Sequence, residues 1–391
     1  MKKICVLGNY SGRNAGDAAL LGGLLEDVSA LYRDVRYIIP TIKPSFIYRH
    51  FSHYHVRPVS LMPWNLSLKI MGLPVLTSTL GADLILVTDA ILFDFKLFNP
   101  LHNYLFTLSY VLPLARTRGV PVVLYNMSLG PVRTARGVKC LRRILNCADL
   151  IIVRDTDSLE LLQRMGGVGE KLRVGADCAL NVVPSDDARL EEIMRRESIF
   201  LDKRPTVGFN VNSYIDAFLR NGGKGIKRGA FIRIMGAVID RTIQSFDVNA
   251  LLVVTQLMDL EITEALMRAT RRRDRVRLIS NKSYSHNDLA TILSRLEIFV
   301  GMRTHSLILA TAVGIPVAGI ISYPKNRGYL RSIGMGDQLI EFSDFSEENL
   351  WRLVARTWRD RGALRERLLP AIAREKARAR HVAELLKPYL D

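Results

Sequence analysis

Short runs rich in valine, isoleucine and leucine punctuate this sequence, each followed by a longer helical or loop segment. They cover residues 3–7, 35–39, 83–87, 121–125 and 150–153, and resume at 206–209, 250–255, 276–279, 298–300 and 317–321. A strand with one wet face alternates apolar and polar residues. Several of these runs are continuous, which marks strands covered on both faces, as in a parallel sheet. Strands that alternate with helices make βαβ units, so the pattern predicts a doubly wound α/β fold.

The series pauses once, over 184–205, a polar and charged stretch bounded by Pro184 and Pro205. A chain of 391 residues also exceeds one comfortable hydrophobic core. The expected organisation is therefore an N-terminal Rossmann-like domain over 1–183, a linker helix over 184–205, a C-terminal Rossmann-like domain over 206–345 and a basic helical segment over 346–391. Two such domains facing a cleft would offer a ligand site between them. In the last segment Leu364, Leu368 and Ile372 recur at helical spacing, with Pro370 expected to break or kink the helix. Two readings stand for it: a basic face for an acidic membrane, or an amphipathic helix packing on the domains.

The formal net charge of +17 favours anionic partners. Nucleic acid is not expected among them, because the arginines are dispersed and no helix-turn-helix, zinc-finger or RNA-recognition pattern occurs. Cys5, Cys140, Cys147 and Cys178 lie at no metal-binding or disulfide-framework spacing. The first apolar run stops at Gly8 and is too short for a signal-peptide core. No stretch reaches the roughly 18 apolar residues of a spanning helix. The reading is a cytoplasmic protein, with peripheral contact at the inner face of the cell membrane as a further reading. The apolar stretch 58–80 and the Phe-rich stretch 91–98 would support that contact if exposed, and would belong to the core if buried.

Three segments carry candidate chemistry. Gly8-Asn9-Tyr10-Ser11-Gly12-Arg13-Asn14-Ala15-Gly16-Asp17 follows the first strand and precedes an apolar helix. Its glycines admit close backbone approach, and the helix N-terminus offers free N–H groups to an anion. Asn14 and Asp17 suit capping, and Asp17 lies at the sheet edge where open α/β folds bind ligands. Gly301-Met302-Arg303-Thr304-His305-Ser306 sits between a strand and a helix. There Arg303 could grip a carboxylate or phosphate and His305 could move a proton, or the pair could be a structural arginine and a capping histidine. Ser322-Tyr323-Pro324-Lys325-Asn326 follows the next strand, with Lys325 as a phosphate contact or a solvated loop lysine.

Taken in order, these pieces resemble the polysaccharide pyruvyltransferases. The resemblance spans residues 3–335 and rests on the loop ending in Asn14-x-Gly16-Asp17, Leu129-Gly130-Pro131, Arg154-Asp155-x-x-Ser158, Gly175-Ala176-Asp177, Met302-Arg303-x-His305-Ser306, Gly314-Ile315-Pro316 and Tyr323-x-Lys325. It implies two Rossmann-like domains in a glycosyltransferase-B-like arrangement. It also implies transfer of the pyruvyl group of phosphoenolpyruvate to a sugar or lipid-linked saccharide, forming a cyclic ketal in cell-envelope or exopolysaccharide biosynthesis. The resemblance assigns catalysis to His305 and Asp17 with Arg303 beside them, and substrate binding to Arg154, Lys325, Asn14, Gly16, Ser306, Tyr323 and Asn9. No metal and no cofactor are expected, phosphoenolpyruvate being the donor substrate. On this reading Arg154, Arg303 and Lys325 are the fixed cations, and Arg303→Ala abolishes activity without disturbing the fold. A two-domain glycosyltransferase using a nucleotide-sugar and a non-catalytic glycan-binding relative are the alternatives. One departure stands out: Thr88-Asp89-Ala90 replaces the family's usual glycine run, and Asp89 and Asp94 could contact sugar hydroxyls or act as caps.

Overall fold

A computed structural model of the chain describes residues 1–61, 73–97, 104–213, 226–321 and 324–391. Two compact units emerge. The first comprises Met1–Gly12, Leu20–Asn181 and Lys376–Asp391; the second comprises Arg13–Ala19 and Val182–Glu375.

The first unit is built on a seven-stranded sheet in the order β3-β2-β1-β4-β5-β6-β7, and every neighbouring pair is parallel. Its strands are β1 (Lys2–Leu7), β2 (Val35–Thr41), β3 (Val56–Ser60), β4 (Leu84–Val87), β5 (Val122–Met127), β6 (Leu150–Val153) and β7 (Leu172–Val174). The second unit carries a six-stranded parallel sheet in the order β10-β9-β8-β11-β12-β13. Its strands are β8 (Thr206–Phe209), β9 (Asn249–Val254), β10 (Val276–Ser280), β11 (Ile298–Gly301), β12 (Val317–Ile321) and β13 (Leu339–Glu341). Strand order reverses between β1 and β4 in the first sheet and between β8 and β11 in the second. At such reversals the loops leaving neighbouring strands diverge and open a crevice.

All the strands read from the sequence are present, and three more were missed: β3, β7 and β13. Each of them is an edge strand. Arg57, Pro58, Arg173 and Glu341 interrupt them, and their residues are largely exposed or half-buried. An edge strand is covered less completely than an inner one, so it need not show a continuous apolar run.

The polar stretch after Pro184 contains a helix, Asp187–Glu197, capped by Asp186 accepting from the Arg189 N–H and counted with the second unit. Residues beyond 345 divide at Glu375 between the two units. Pro370 does not end its helix, which runs continuously over Arg361–Glu384. Leu364, Leu368 and Ile372 are buried, so the apolar stripe of this helix packs against protein. In the stretch 58–80, Leu61 and Val75 belong to the core of the first unit and Leu73 is exposed; residues 62–72 lie outside the described residues. Ile91, Leu92 and Leu97 are buried and Phe95 is exposed, while Phe98 also lies outside them. Among the described residues no helix is long and apolar enough to cross a membrane.

One buried acid ties folding to pH. Both carboxylate oxygens of Asp27, in the helix Ala15–Leu31, accept from Asn181 Nδ2, at 3.0 and 2.9 Å. Burial raises its pKa from 3.8 to about 6, against the lowering effects of Asn181 and Arg380. The folded protein therefore keeps this proton to higher pH than the unfolded chain. Folding takes up a proton between those values, and stability falls by about 3 kcal/mol as pH rises through them. Asp27→Asn removes the titration, so the Tm of the parent should drop more steeply from about pH 4 to 7 than that of the variant. Parallel Tm curves would refute this assignment.

Candidate functional site

In the second unit the candidate residues gather at the carboxyl ends of β8, β9, β11 and β12. Asn210 follows β8 and is buried; its side chain donates to the Val253 carbonyl at 2.9 Å. Its side-chain oxygen accepts from the Arg303 backbone N–H at 3.1 Å and from Ser306 Oγ at 3.0 Å. One amide thus fixes the turn between β11 and the helix Thr304–Ala312. Ser306, expected as a substrate contact, is fully buried, with its hydroxyl also bonded to the Arg303 carbonyl at 2.7 Å. It holds the loop, and its burial keeps it from touching a ligand.

Arg303 likewise has an internal partner. Its Nε and Nη2 each lie 2.7 Å from a carboxylate oxygen of Asp259, which is completely buried and also accepts the Ser213 N–H at 2.8 Å. This two-point pairing braces the loop after β9 against the loop after β11. This pairing reads Arg303 as a positioning residue, and Arg303→Ala is expected to strand the buried Asp259 carboxylate. Asp259 and Asn210 are the site residues that the sequence reading missed. Asp259 sits just beyond a strand end, the one signal available, but its partner lies far along the chain.

The glycine-rich loop supplies the other wall. The Ala15 N–H donates to the Thr255 carbonyl at 2.8 Å and the Leu257 N–H to the Arg13 carbonyl at 2.9 Å, docking residues 13–15 on the loop after β9. Asn14 Oδ1 accepts from the Gly16 N–H at 2.9 Å while its Nδ2 donates to Asp17 Oδ1 at 2.6 Å. The Asp17 carboxylate is thereby oriented from the first turn of the helix Ala15–Leu31. Gly16 packs against the imidazole: a Cβ there would lie 2.3 Å from His305 Cβ and Cγ and 2.4 Å from Nδ1. No side chain fits in that gap. Gly16→Ala should displace His305, seen as a shift of its ring resonances by NMR with little change in Tm; unchanged resonances would contradict the contact.

Lys325 stands in the first turn of the helix Pro324–Ser332 and is half-buried. Its neighbour Asn326 accepts from the Thr304 hydroxyl and donates to the Met302 carbonyl at 2.6 Å, which ties this turn to the one bearing His305. Tyr323 lies outside the described residues. The second unit thus unites Asn14, Gly16, Asp17, His305 and Lys325 with three helix N-termini. Each N-terminus carries a partial positive charge suited to an anion. Among the described residues no cluster of His, Cys, Asp and Glu is arranged to hold a metal ion.

Asn9 and Arg154 belong to the first unit. Asn9 is exposed just beyond β1. Arg154 follows β6 and is buried, with Nη1 3.2 Å from Asp177 and Nη2 3.9 Å from Asp89. Burial alone would lower its pKa, but Asp177, Asp89 and Asp155 together raise it, so the guanidinium stays charged. The expected substrate cation is thus matched by carboxylates of its own unit. Asp89 occupies the glycine-run position with a left-handed backbone, φ 69°. That conformation normally suits glycine, and aspartate is among the side chains that tolerate it. Asp94 accepts the Arg133 and Thr134 N–H groups at 2.7 and 2.6 Å, the capping alternative.

A family model for polysaccharide pyruvyl transferase matches residues 14–324. The chain belongs to the polysaccharide pyruvyl transferase family. Among curated proteins it is similar to the amylovoran biosynthesis protein AmsJ of Erwinia amylovora, 22% identical over 222 residues, or 55% of this chain and 52% of that protein. The match thus spans about half of that relative's length. Among solved structures, Anabaena HepE in complex with UDP-glucose is 16% identical with a TM-score of 0.62, covering 99% of this chain and 100% of that one. The UDP-GlcNAc 2-epimerase of Neisseria meningitidis bound to UDP-GlcNAc is 13% identical with a TM-score of 0.64, covering 100% and 99%. The E. coli ADP-heptose lipopolysaccharide heptosyltransferase II gives 12%, a TM-score of 0.52 and coverages of 93% and 100%. At these identities the likeness concerns the fold, which is glycosyltransferase-B-like, with two parallel-sheet α/β domains.

Proposed function

We propose that this transferase takes phosphoenolpyruvate as donor and moves its pyruvyl group onto a saccharide as a cyclic ketal. The observation that supports this most is the placement of His305 against Gly16, next to the Asn14-oriented Asp17 and among three helix N-termini. An anionic donor suits that setting. With Arg303 held by Asp259, the positive ends of those helices and the Lys325 ammonium are the groups assigned to the phosphate and carboxylate. His305 gives a proton to the methylene carbon C3 as a saccharide hydroxyl bonds to C2, that hydroxyl's own proton passing to Asp17 and on to the departing phosphate. Phosphate leaves C2 with the C–O bonding electrons, its developing charge met by Lys325 and the helix dipoles. A second hydroxyl then bonds to C2 and closes the ketal, its proton passing to a base, for which Asp17 or the now neutral His305 is assigned. The sum is phosphoenolpyruvate plus a diol giving a pyruvate ketal and inorganic phosphate.

Thermal denaturation tests the donor. A ligand that binds only the folded state raises stability in proportion to RT ln(1 + [L]/Kd). Phosphoenolpyruvate should raise Tm with concentration, and less so in Lys325→Ala. Stabilisation by a UDP-sugar with none by phosphoenolpyruvate would favour a nucleotide-sugar donor instead.

A further inference from the structure

The first unit carries a surface that combines basic and apolar side chains. Between residues 90 and 150 the basic residues are Lys96, Arg116, Arg118, Arg133, Arg136, Lys139, Arg142 and Arg143, against Asp94 and Asp149, the latter paired with Arg116 at 2.7 Å. The helix Ala135–Cys147 buries Cys140, Leu141, Ile144 and Leu145 and exposes Arg136, Lys139, Arg142 and Arg143, with no acid on any face. Asp94 accepts the N–H groups of Arg133 and Thr134 just before this helix. That contact seats exposed Phe95 and Lys96 beside the helix N-terminus, with the Lys96 ammonium 5.4 Å from the Phe95 ring centre.

Packed along the same helix is Leu105–Thr117. Its exposed ridge carries Tyr110 and Leu114, at 39% and 43% exposure, one turn apart. Arg143 lies 4.4 Å over the Tyr110 ring, which joins the basic helix to the apolar ridge. Phe95, at 62% exposure, adds a third apolar group.

We propose that this surface is a docking face for an acidic phospholipid bilayer. The cations complement anionic headgroups, at about 1 kcal/mol for each basic residue near the surface. Phe95, Tyr110 and Leu114 enter the interface between headgroups and acyl chains, as the apolar face of an interfacial helix does. An acidic glycan would use the charge but gives those apolar groups nothing to enter, and RNA, whose bases can stack on Phe95 and Tyr110, leaves Leu114 without a partner. The contact is peripheral, and it holds whichever donor the second unit binds.

The test is co-sedimentation of the full chain with vesicles of phosphatidylcholine alone or with 30% phosphatidylglycerol. Binding should need the acidic lipid and fall as salt rises. Arg136→Glu/Lys139→Glu/Arg142→Glu should lower partitioning at least about tenfold. The reversal Arg195→Glu/Arg268→Glu, made at exposed sites of the second unit, should change it little. Phe95→Ser/Leu114→Ser should weaken binding even at low salt. All these positions are exposed, and equal Tm values would verify folding. Equal binding to neutral vesicles, an equal effect of the control reversal, or competition by RNA with no effect of the Phe95/Leu114 changes would overturn the proposal.

Discussion

Replacing His305 by alanine should lower pyruvyl transfer by about 10²–10⁴-fold, the usual contribution of a positioned general acid. The loss should fall on kcat, because the imidazole acts at C3 while the helix dipoles and Lys325 hold the donor. His305 is half-buried in the first turn of a helix whose packing rests on Leu307, Ile308 and Leu309. Truncation there should cost little stability, and the Tm response to phosphoenolpyruvate should survive. His305→Gln, which keeps a donor but cannot deliver a proton, should be as inactive as alanine. Near-parent activity in His305→Gln would remove the imidazole from the proton path.

The second large effect is on stability. Asp259→Ala should destabilise the protein by about 3–5 kcal/mol, the cost of breaking a buried ion pair by deleting one partner. It strands the Arg303 guanidinium and the Ser213 N–H, both of which Asp259 accepts from. Arg303→Ala should cost about as much, since Asp259 is completely buried. The double variant should be less destabilised than the sum of the two, because no charge is left without its counterion. Denaturant unfolding of the three variants measures the coupling. Strict additivity would show that the pair does not act as a unit.

Inner strands were legible because a parallel strand covered on both faces must be apolar at successive positions, and β1, β4 and β12 announce themselves that way. The edge strands β3, β7 and β13 were not, since their wet sides admit Arg57, Arg173 and Glu341. In the site, Gly16, Asp17 and His305 were legible because a glycine loop and a strand-to-helix turn carry their own local pattern. The partners of Arg303 and Arg154 were not. Asp259, Asp89 and Asp177 each follow a different strand, and only sheet order decides which carboxylate meets which guanidinium. An arginine after a strand reads equally as a cation offered to a ligand or as a loop brace; here both Arg154 and Arg303 are held by carboxylates. The left-handed backbone at Asp89 is also invisible to residue type, because aspartate seldom advertises a conformation that glycine would.

The most direct measurement is turnover with phosphoenolpyruvate and candidate lipid-linked or nitrophenyl saccharides, following phosphate release and the methyl signal of a pyruvate ketal. The proposed mechanism predicts phosphate and ketal in equal amounts, both lost in His305→Ala. Transfer of a sugar from a nucleotide donor, with phosphoenolpyruvate left intact, would contradict it.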